Sequence, residues 1–206
     1  MNGELSWEEF LVLMDDFLEI SNGIGDGWAL FGEKNVFGGA YAVKREERSG
    51  KSVENSNLNS DLEETNLEKI LEDNSVVETE KNENKGRQFW EYHIVYSVSY
   101  SVPVLYFNAW RDSGELLTLE EIWNEIPPSM KPDAEDKYWS LISQQEHPLL
   151  GKPFFQIHPC QTANLISAIK GIAGERIFIP WLSTVGPLVN LSLSPLYASK
   201  NAKQIE

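Results

Sequence analysis

The chain has 206 residues, 41% of them hydrophobic, and seven tryptophans, which is enough apolar material for one domain with a substantial core. Its formal net charge of −15 argues against nucleic acid and anionic membrane surfaces as partners, because both carry negative charge. The single cysteine excludes an internal disulfide. The first twenty residues have neither a basic start nor a continuous apolar segment. We therefore expect no secretory signal, no membrane span and a cytoplasmic location.

An amphipathic helix is predicted at residues 7–20. Ser6 and Glu9 form a capping box, and apolar residues then recur at helical spacing. The glycines of SNGIGDG end this helix. Two short segments bounded by glycine follow, GWALFG and GGAYAVK, and the second has the composition more typical of a strand.

The composition changes at about residue 46. Residues 46–85 contain twelve acidic side chains and five basic ones, and no aromatic residue occurs between Tyr41 and Phe89. Such a segment cannot bury enough apolar surface to offset the entropy lost on ordering. We therefore predict a single domain over residues 1–206 with a disordered acidic insertion at about 46–86. The composition favours a solvated spacer, and an acidic docking element is the alternative.

A β-meander is predicted after the insertion. In QFWEYHIVYSVSY, Tyr92, Ile94 and Tyr96 recur at a period of two, which indicates a strand with one apolar face. VLYFNAW predicts a second strand, and RDSGELL predicts the turn after it. If the first strand lies at the margin of the sheet, its edge could pair with a partner protein. The alternative is a central strand that is paired on both sides.

Three further helices are predicted. Thr118 and Glu121 form a second capping box that opens LEEIWNEI, and two prolines end that helix. DAEDKYWSLISQQ is predicted to form a helix before His147. A third helix begins near Pro180 and ends at Gly186.

The only cysteine, Cys160, follows the short apolar segment PFFQI, which predicts a strand ended by a proline. Cys160 is then expected in a turn. Thr162 is a candidate N-cap for a helix whose apolar face contains Ile166 and Ile169. A thiol just outside a helix N-terminus could be a nucleophile, because the helix dipole favours the thiolate. By composition alone, a buried structural cysteine is the commoner case.

Three segments, QQEHPLLGKPFFQIHPCQT, WLSTVGP and EYHIVYSVSYSVPVLYF, together resemble the autophagy ubiquitin-like-conjugating enzymes of the autophagy-related protein ten family. His-Pro-Cys alone is a weak signal, since the related protein three family shares it. The resemblance implies an α+β fold, in which helices flank an antiparallel β-sheet, similar to that of ubiquitin-conjugating enzymes.

The resemblance also implies an activity. Cys160 would accept the ubiquitin-like modifier autophagy-related protein twelve as a thioester from the activating enzyme, protein seven. It would then transfer the modifier to a lysine of protein five, in support of autophagosome assembly. No cofactor is implied at this step, because the activating enzyme uses the ATP.

The chain lacks the His-Pro-Asn tripeptide whose asparagine is assigned to oxyanion stabilisation in ordinary ubiquitin-conjugating enzymes. We nominate His158 for that role, beside Cys160 as the nucleophile. Backbone N–H groups after Cys160, or a tyrosine of EYHIVYSVSY, are alternative donors. An equally favoured interpretation of His158 is a hydrogen-bonded turn residue that shapes the loop.

Other classes of protein remain open. A cysteine protease requires a histidine base near the thiol. His158 is poorly placed for that role two residues away, but His93 or His147 could approach Cys160 through the fold. A metal site is not favoured, because only His158 and Cys160 are close in sequence. A non-catalytic protein-binding module is the main alternative to an enzyme.

Overall fold

The computed structural model describes residues 3–49, 86–131, 141–173 and 176–201. In these residues, six antiparallel strands form one sheet in the spatial order β1-β2-β3-β4-β6-β5. The first four strands form a meander, and the last two add to its β4 side as a hairpin. The strands are β1 (Ala29–Gly32), β2 (Ala40–Ser49), β3 (Arg87–Ser97), β4 (Val102–Arg111), β5 (Ile142–Glu146) and β6 (Pro153–Ile157).

The helices pack on one face of this sheet, which confirms the expected α+β class. Short 3-10 turns at Pro128–Met130, Pro159–Gln161 and Gly186–Val189 connect the larger elements. The described α-helices are α1 (Trp7–Ile24), α2 (Leu119–Glu125), α3 (Thr162–Ala173), α4 (Phe178–Val185) and α5 (Leu196–Asn201). Within the described residues, none of the helices has both the length and the apolar character needed to cross a bilayer.

Local signals set the limits of α1 and α2. The predicted capping boxes at Ser6 and Thr118 are both formed, and each satisfies two backbone N–H groups that would otherwise lack partners. Helix α1 ends at Gly25, whose φ of 69° is a left-handed conformation that glycine adopts without steric cost.

The core lies between the helices and the adjacent sheet face. Phe10 and Phe17 of α1 contact Phe178 of α4, with ring centroids 5.5 and 6.2 Å apart. Phe10 also contacts Tyr96 of β3 at 5.2 Å. These aromatic contacts join α1, α4 and β3 into one apolar cluster, because each ring buries a large surface.

The topology corrects two predictions about strands. β3 is paired along its length with β2 on one side and β4 on the other, so its expected free edge is wrong and the central-strand alternative is right. The margins of the sheet are β1 and β5. GWALFG and GGAYAVK both contribute strands, β1 and β2.

A third correction concerns the helix predicted for DAEDKYWSLISQQ. Residues 132–140 lie outside the described part of the chain, but Ile142–Glu146 form β5 and pair with β6. Main-chain pairing with β6 and burial of Ile142 override the local helical pattern, as tertiary contacts commonly do.

The structure places the first residues of the predicted acidic insertion in the sheet. β2 continues through Ser49, and Glu46 forms ion pairs with Lys44 and Arg48. Residues 46–49 therefore belong to the sheet. The prediction of disorder falls on residues 50–85, which lie outside the described residues.

Candidate active site

Cys160 lies in the connection between the last strand and the helix that follows it. β6 ends at Ile157, the 3-10 turn Pro159–Gln161 contains the cysteine, and α3 begins at once at Thr162. The predicted strand and turn are confirmed. Cys160 is exposed, so the structure excludes the buried structural cysteine that composition alone favoured.

His158 caps this turn. Its Nδ1 accepts a hydrogen bond from the backbone N–H of Cys160 at 3.1 Å, and its own backbone N–H donates to the carbonyl of Leu141 at 2.7 Å. Thr162, predicted as the N-cap, instead has helical dihedral angles. The capping role therefore belongs to His158. The correction arises because the proline-containing turn continues directly into α3.

The hydrogen bond assigns the tautomer of His158. A neutral imidazole that accepts at Nδ1 carries its proton on Nε2, so this nitrogen remains a donor. The same bond occupies the N–H of Cys160 itself, whereas the backbone donors considered for an oxyanion were those after Cys160.

Tyr100 is the aromatic residue beside the cap. Its ring meets that of His158 edge to face, with centroids 6.2 Å apart, and its side chain is 45% exposed. Tyr100 lies in the turn between β3 and β4, outside the strand predicted for it. The sequence named the tyrosines of EYHIVYSVSY only as a group, and Tyr100 is the one whose ring the structure places against His158.

The polar side chains after Cys160 were not anticipated. The Asn164 amide Nδ2 donates to the Gln161 side-chain oxygen at 3.2 Å, one helical turn beyond the thiol. The spacing of these two residues from each other was a usable signal, because side chains three residues apart are neighbours on a helix surface.

The other two histidines form a buried pair on the sheet face opposite the helices. His147 Nδ1 accepts from the N–H groups of Leu149 and Leu150 at 3.2 and 3.3 Å. Its Nε2–H therefore donates to His93 Nδ1 at 2.9 Å. His93 in turn donates from Nε2 to Glu91 at 2.8 Å. Every ring nitrogen of the pair thus has a partner.

The surroundings of this pair shift the pKa values of His147 and of the neighbouring Glu91. Burial lowers the pKa of His147 to about 4, and the neighbouring His93 acts in the same direction. Burial alone would raise the pKa of Glu91, but hydrogen bonds from His93 and Arg45 bring it down to about 2. Glu91 is therefore ionised and His147 neutral at physiological pH.

The arrangement does not support a cysteine protease. All three histidines lie in the described residues: His93 and His147 bind each other, and His158 uses Nδ1 to hold the Cys160 backbone. These hydrogen bonds therefore place none of the three histidines as a general base for the Cys160 thiol. An exposed thiol on a turn capped by His158 is suited to acyl transfer between larger partners.

Sequence comparisons show the family of the chain. Residues 9–195 match the family model described as "Autophagocytosis associated protein, active-site domain", a range that contains Cys160 and His158. The chain belongs to this family.

The names of the similar proteins are more specific about function than the family description is. The chain is 33% identical to the human protein named "Ubiquitin-like-conjugating enzyme ATG10", over 98% of this chain and 94% of that protein. It is 34% identical to the Arabidopsis thaliana protein of the same name, over 61% and 58% of the two chains. The Dictyostelium discoideum protein of that name is 36% identical over 50% and 51%. These similarities support an autophagy conjugating enzyme of the ubiquitin-like type, and hence a transferase.

Proposed function

We propose that the protein carries a ubiquitin-like modifier as a thioester on Cys160 and transfers it to a lysine of an acceptor protein. By its resemblance to the autophagy-related protein ten family, the modifier is autophagy-related protein twelve. The activating enzyme is protein seven, and the acceptor is protein five. The observation that carries the proposal is the exposure of the only thiol on a capped turn, within the matched active-site domain.

Charging and transfer each break one bond to the modifier's C-terminal acyl group and form another. The Cys160 thiolate attacks the carbonyl of the modifier's C-terminal glycine, which is bound to the activating enzyme as a thioester, and the activating enzyme's cysteine leaves as a thiolate. A neutral lysine amine then attacks the new thioester, an isopeptide bond forms, and the Cys160 thiolate is released. The amine loses its proton to solvent. Both steps pass through a tetrahedral oxyanion that requires a donor.

In this proposal His158 has two roles. Its Nδ1 holds the turn through the Cys160 N–H, and its Nε2–H donates to the oxyanion. Tyr100, against the edge of the imidazole, limits rotation of the ring.

The proposal is tested by incubating the protein with the activating enzyme, ATP and candidate modifiers. We expect a band that disappears with reducing agent for wild type and a slowly hydrolysed oxyester for Cys160→Ser. Cys160→Ala should give no adduct. An adduct that persists in Cys160→Ala would contradict the assignment. Partner binding without any adduct would favour the non-catalytic binding module.

Two substitutions separate the roles of His158. Asn places an oxygen where Nδ1 lies, so His158→Asn keeps the turn acceptor but loses the donor at the Nε2 position. We expect charging and discharge to lysine both to become slower, by about 10²-fold, which is typical of a lost oxyanion donor. His158→Ala should lose both roles. Wild-type discharge by His158→Asn would show that the histidine serves the turn alone.

A further inference from the structure

We propose that residues 3–6, at the N-terminal end of the described chain, are a positioning strap. By this we mean that they hold the helix after Cys160 in a fixed relation to the turn that carries Tyr100. These residues precede α1 and lie far from Cys160 in sequence. The inference rests on the proposed function for its kinetic consequence, whereas its structural consequence can be measured independently.

One end of the strap lies against the first turns of α3. A Cβ atom placed on Gly3 would lie 1.6 Å from the Ala163 carbonyl oxygen and 2.8 Å from the Ser167 nitrogen. No side chain fits at these distances, so only glycine allows the two backbones to approach so closely. Ala163 comes three residues after Cys160, and any displacement of it is therefore transmitted to the turn with the thiol.

The next residue adds a polar contact to the same helix. The Lys170 ammonium donates to the Glu4 carbonyl at 3.4 Å. The strap thus contacts α3 at both its first turn and its third.

The other end of the strap is bound to the turn between β3 and β4. The Leu5 N–H donates to the Ser101 carbonyl at 2.7 Å, and the buried Tyr96 hydroxyl donates to the Leu5 carbonyl at 2.8 Å. The Leu5 side chain is 2% exposed. Ser101 has a φ of 53°, an unusual conformation for a residue other than glycine, so an external hydrogen bond helps to hold it.

These two attachments meet at the candidate active site. Ser101 directly follows Tyr100, whose ring contacts His158, and Ala163 follows Cys160 within one helical turn. The strap therefore links the two segments whose contact orients the imidazole. It touches no reacting atom, so its members are positioning residues.

The perturbing variants are Gly3→Ala, which cannot fit, and Tyr96→Phe, which removes only the hydroxyl that binds Leu5. Gly86→Ala is the matched control, because a Cβ at Gly86 meets nothing within 4 Å. Amide ¹H–¹⁵N chemical shifts report on the backbone without any partner protein. We expect the Cys160, Ala163 and Ser101 amides to move in both perturbing variants and to stay in place in Gly86→Ala.

The kinetic readout is transfer of the modifier from the charged enzyme to lysine. We expect kcat to fall about tenfold in Gly3→Ala at unchanged KM, because small misplacements of reacting groups are costly while the docking surfaces are retained. Tyr96→Phe should show the same change to a smaller degree, and it carries the test if Gly3→Ala does not fold.

Two results would overturn the inference. One is a set of shift changes confined to residues 3–6 in folded Gly3→Ala and in Tyr96→Phe. The other is a kcat equal to that of Gly86→Ala in both variants. If the wild-type protein formed no thioester, the proposed function would be wrong. The chemical-shift measurements would still decide whether the strap positions the turn that carries Cys160.

Discussion

Acidification from pH 7 to pH 5 should destabilise the protein through His147. The folded protein keeps this imidazole neutral, with a pKa lowered by burial from its ordinary value of 6.5 to about 4. The unfolded chain, in contrast, takes up a proton below about pH 6.5. Because the folded-state pKa is depressed, the stabilisation is present above pH 6.5 and is lost as pH falls towards 4.

The size of the effect follows from this shift. Each pKa unit corresponds to about 1.4 kcal/mol, so His147 should cost about 2 kcal/mol of unfolding free energy between pH 7 and pH 5. Glu91 does not contribute in this window. Its pKa is lowered from 4.5 to about 2 by hydrogen bonds that outweigh burial, so its contribution is lost only at lower pH.

The assay is urea unfolding at several pH values between 5 and 7, on wild type and His147→Asn. The Asn oxygen can accept the N–H groups of Leu149 and Leu150 in place of Nδ1, but it does not titrate. Both proteins share the remaining charges, so the difference in their pH slopes isolates the imidazole. Equal slopes would refute the reasoning.

Two other perturbations have definite expectations. Phe178→Ala should lower the unfolding free energy by about 3–5 kcal/mol in chemical denaturation, because its ring is 1% exposed; Val12→Ala, at a site that is 65% exposed, should change it by about 0.5 kcal/mol or less. Replacement of residues 50–85 by a short Gly/Ser linker should leave thioester formation intact, because Ser49 already pairs with Arg87 across the sheet and loop length costs little. Loss of charging in a folded linker variant would instead make the insertion a docking element.

Elements whose determinants lie within a few residues could be predicted from the sequence. The capping boxes at Ser6 and Thr118, the termination of α1 by glycine and the alternation in β3 depend on neighbours along the chain. The same holds for the strand, turn and helix around Cys160. Their interactions form within one or two turns of backbone, so the pattern of side chains contains the necessary information.

The position of each strand in the sheet could not be predicted in this way. The pattern of β3 is compatible with either an edge or a centre, and only pairing with β2 and β4 on its two sides decides the matter. Ile142–Glu146 have a local pattern that favours a helix, yet they pair with β6. Strand propensity depends on such context more strongly than helix propensity does.

The features of the candidate site can be divided in the same way, into those that the sequence indicates and those that only the tertiary structure brings together. Cys160 and His158 could be nominated from the sequence, because they lie in one short motif with a family resemblance. The contact of Tyr100 with His158, and the approach of Gly3 to Ala163, depend on the tertiary structure. These contacts join segments that are distant along the chain, and they exist only because the core brings α1, the β3–β4 turn and α3 together.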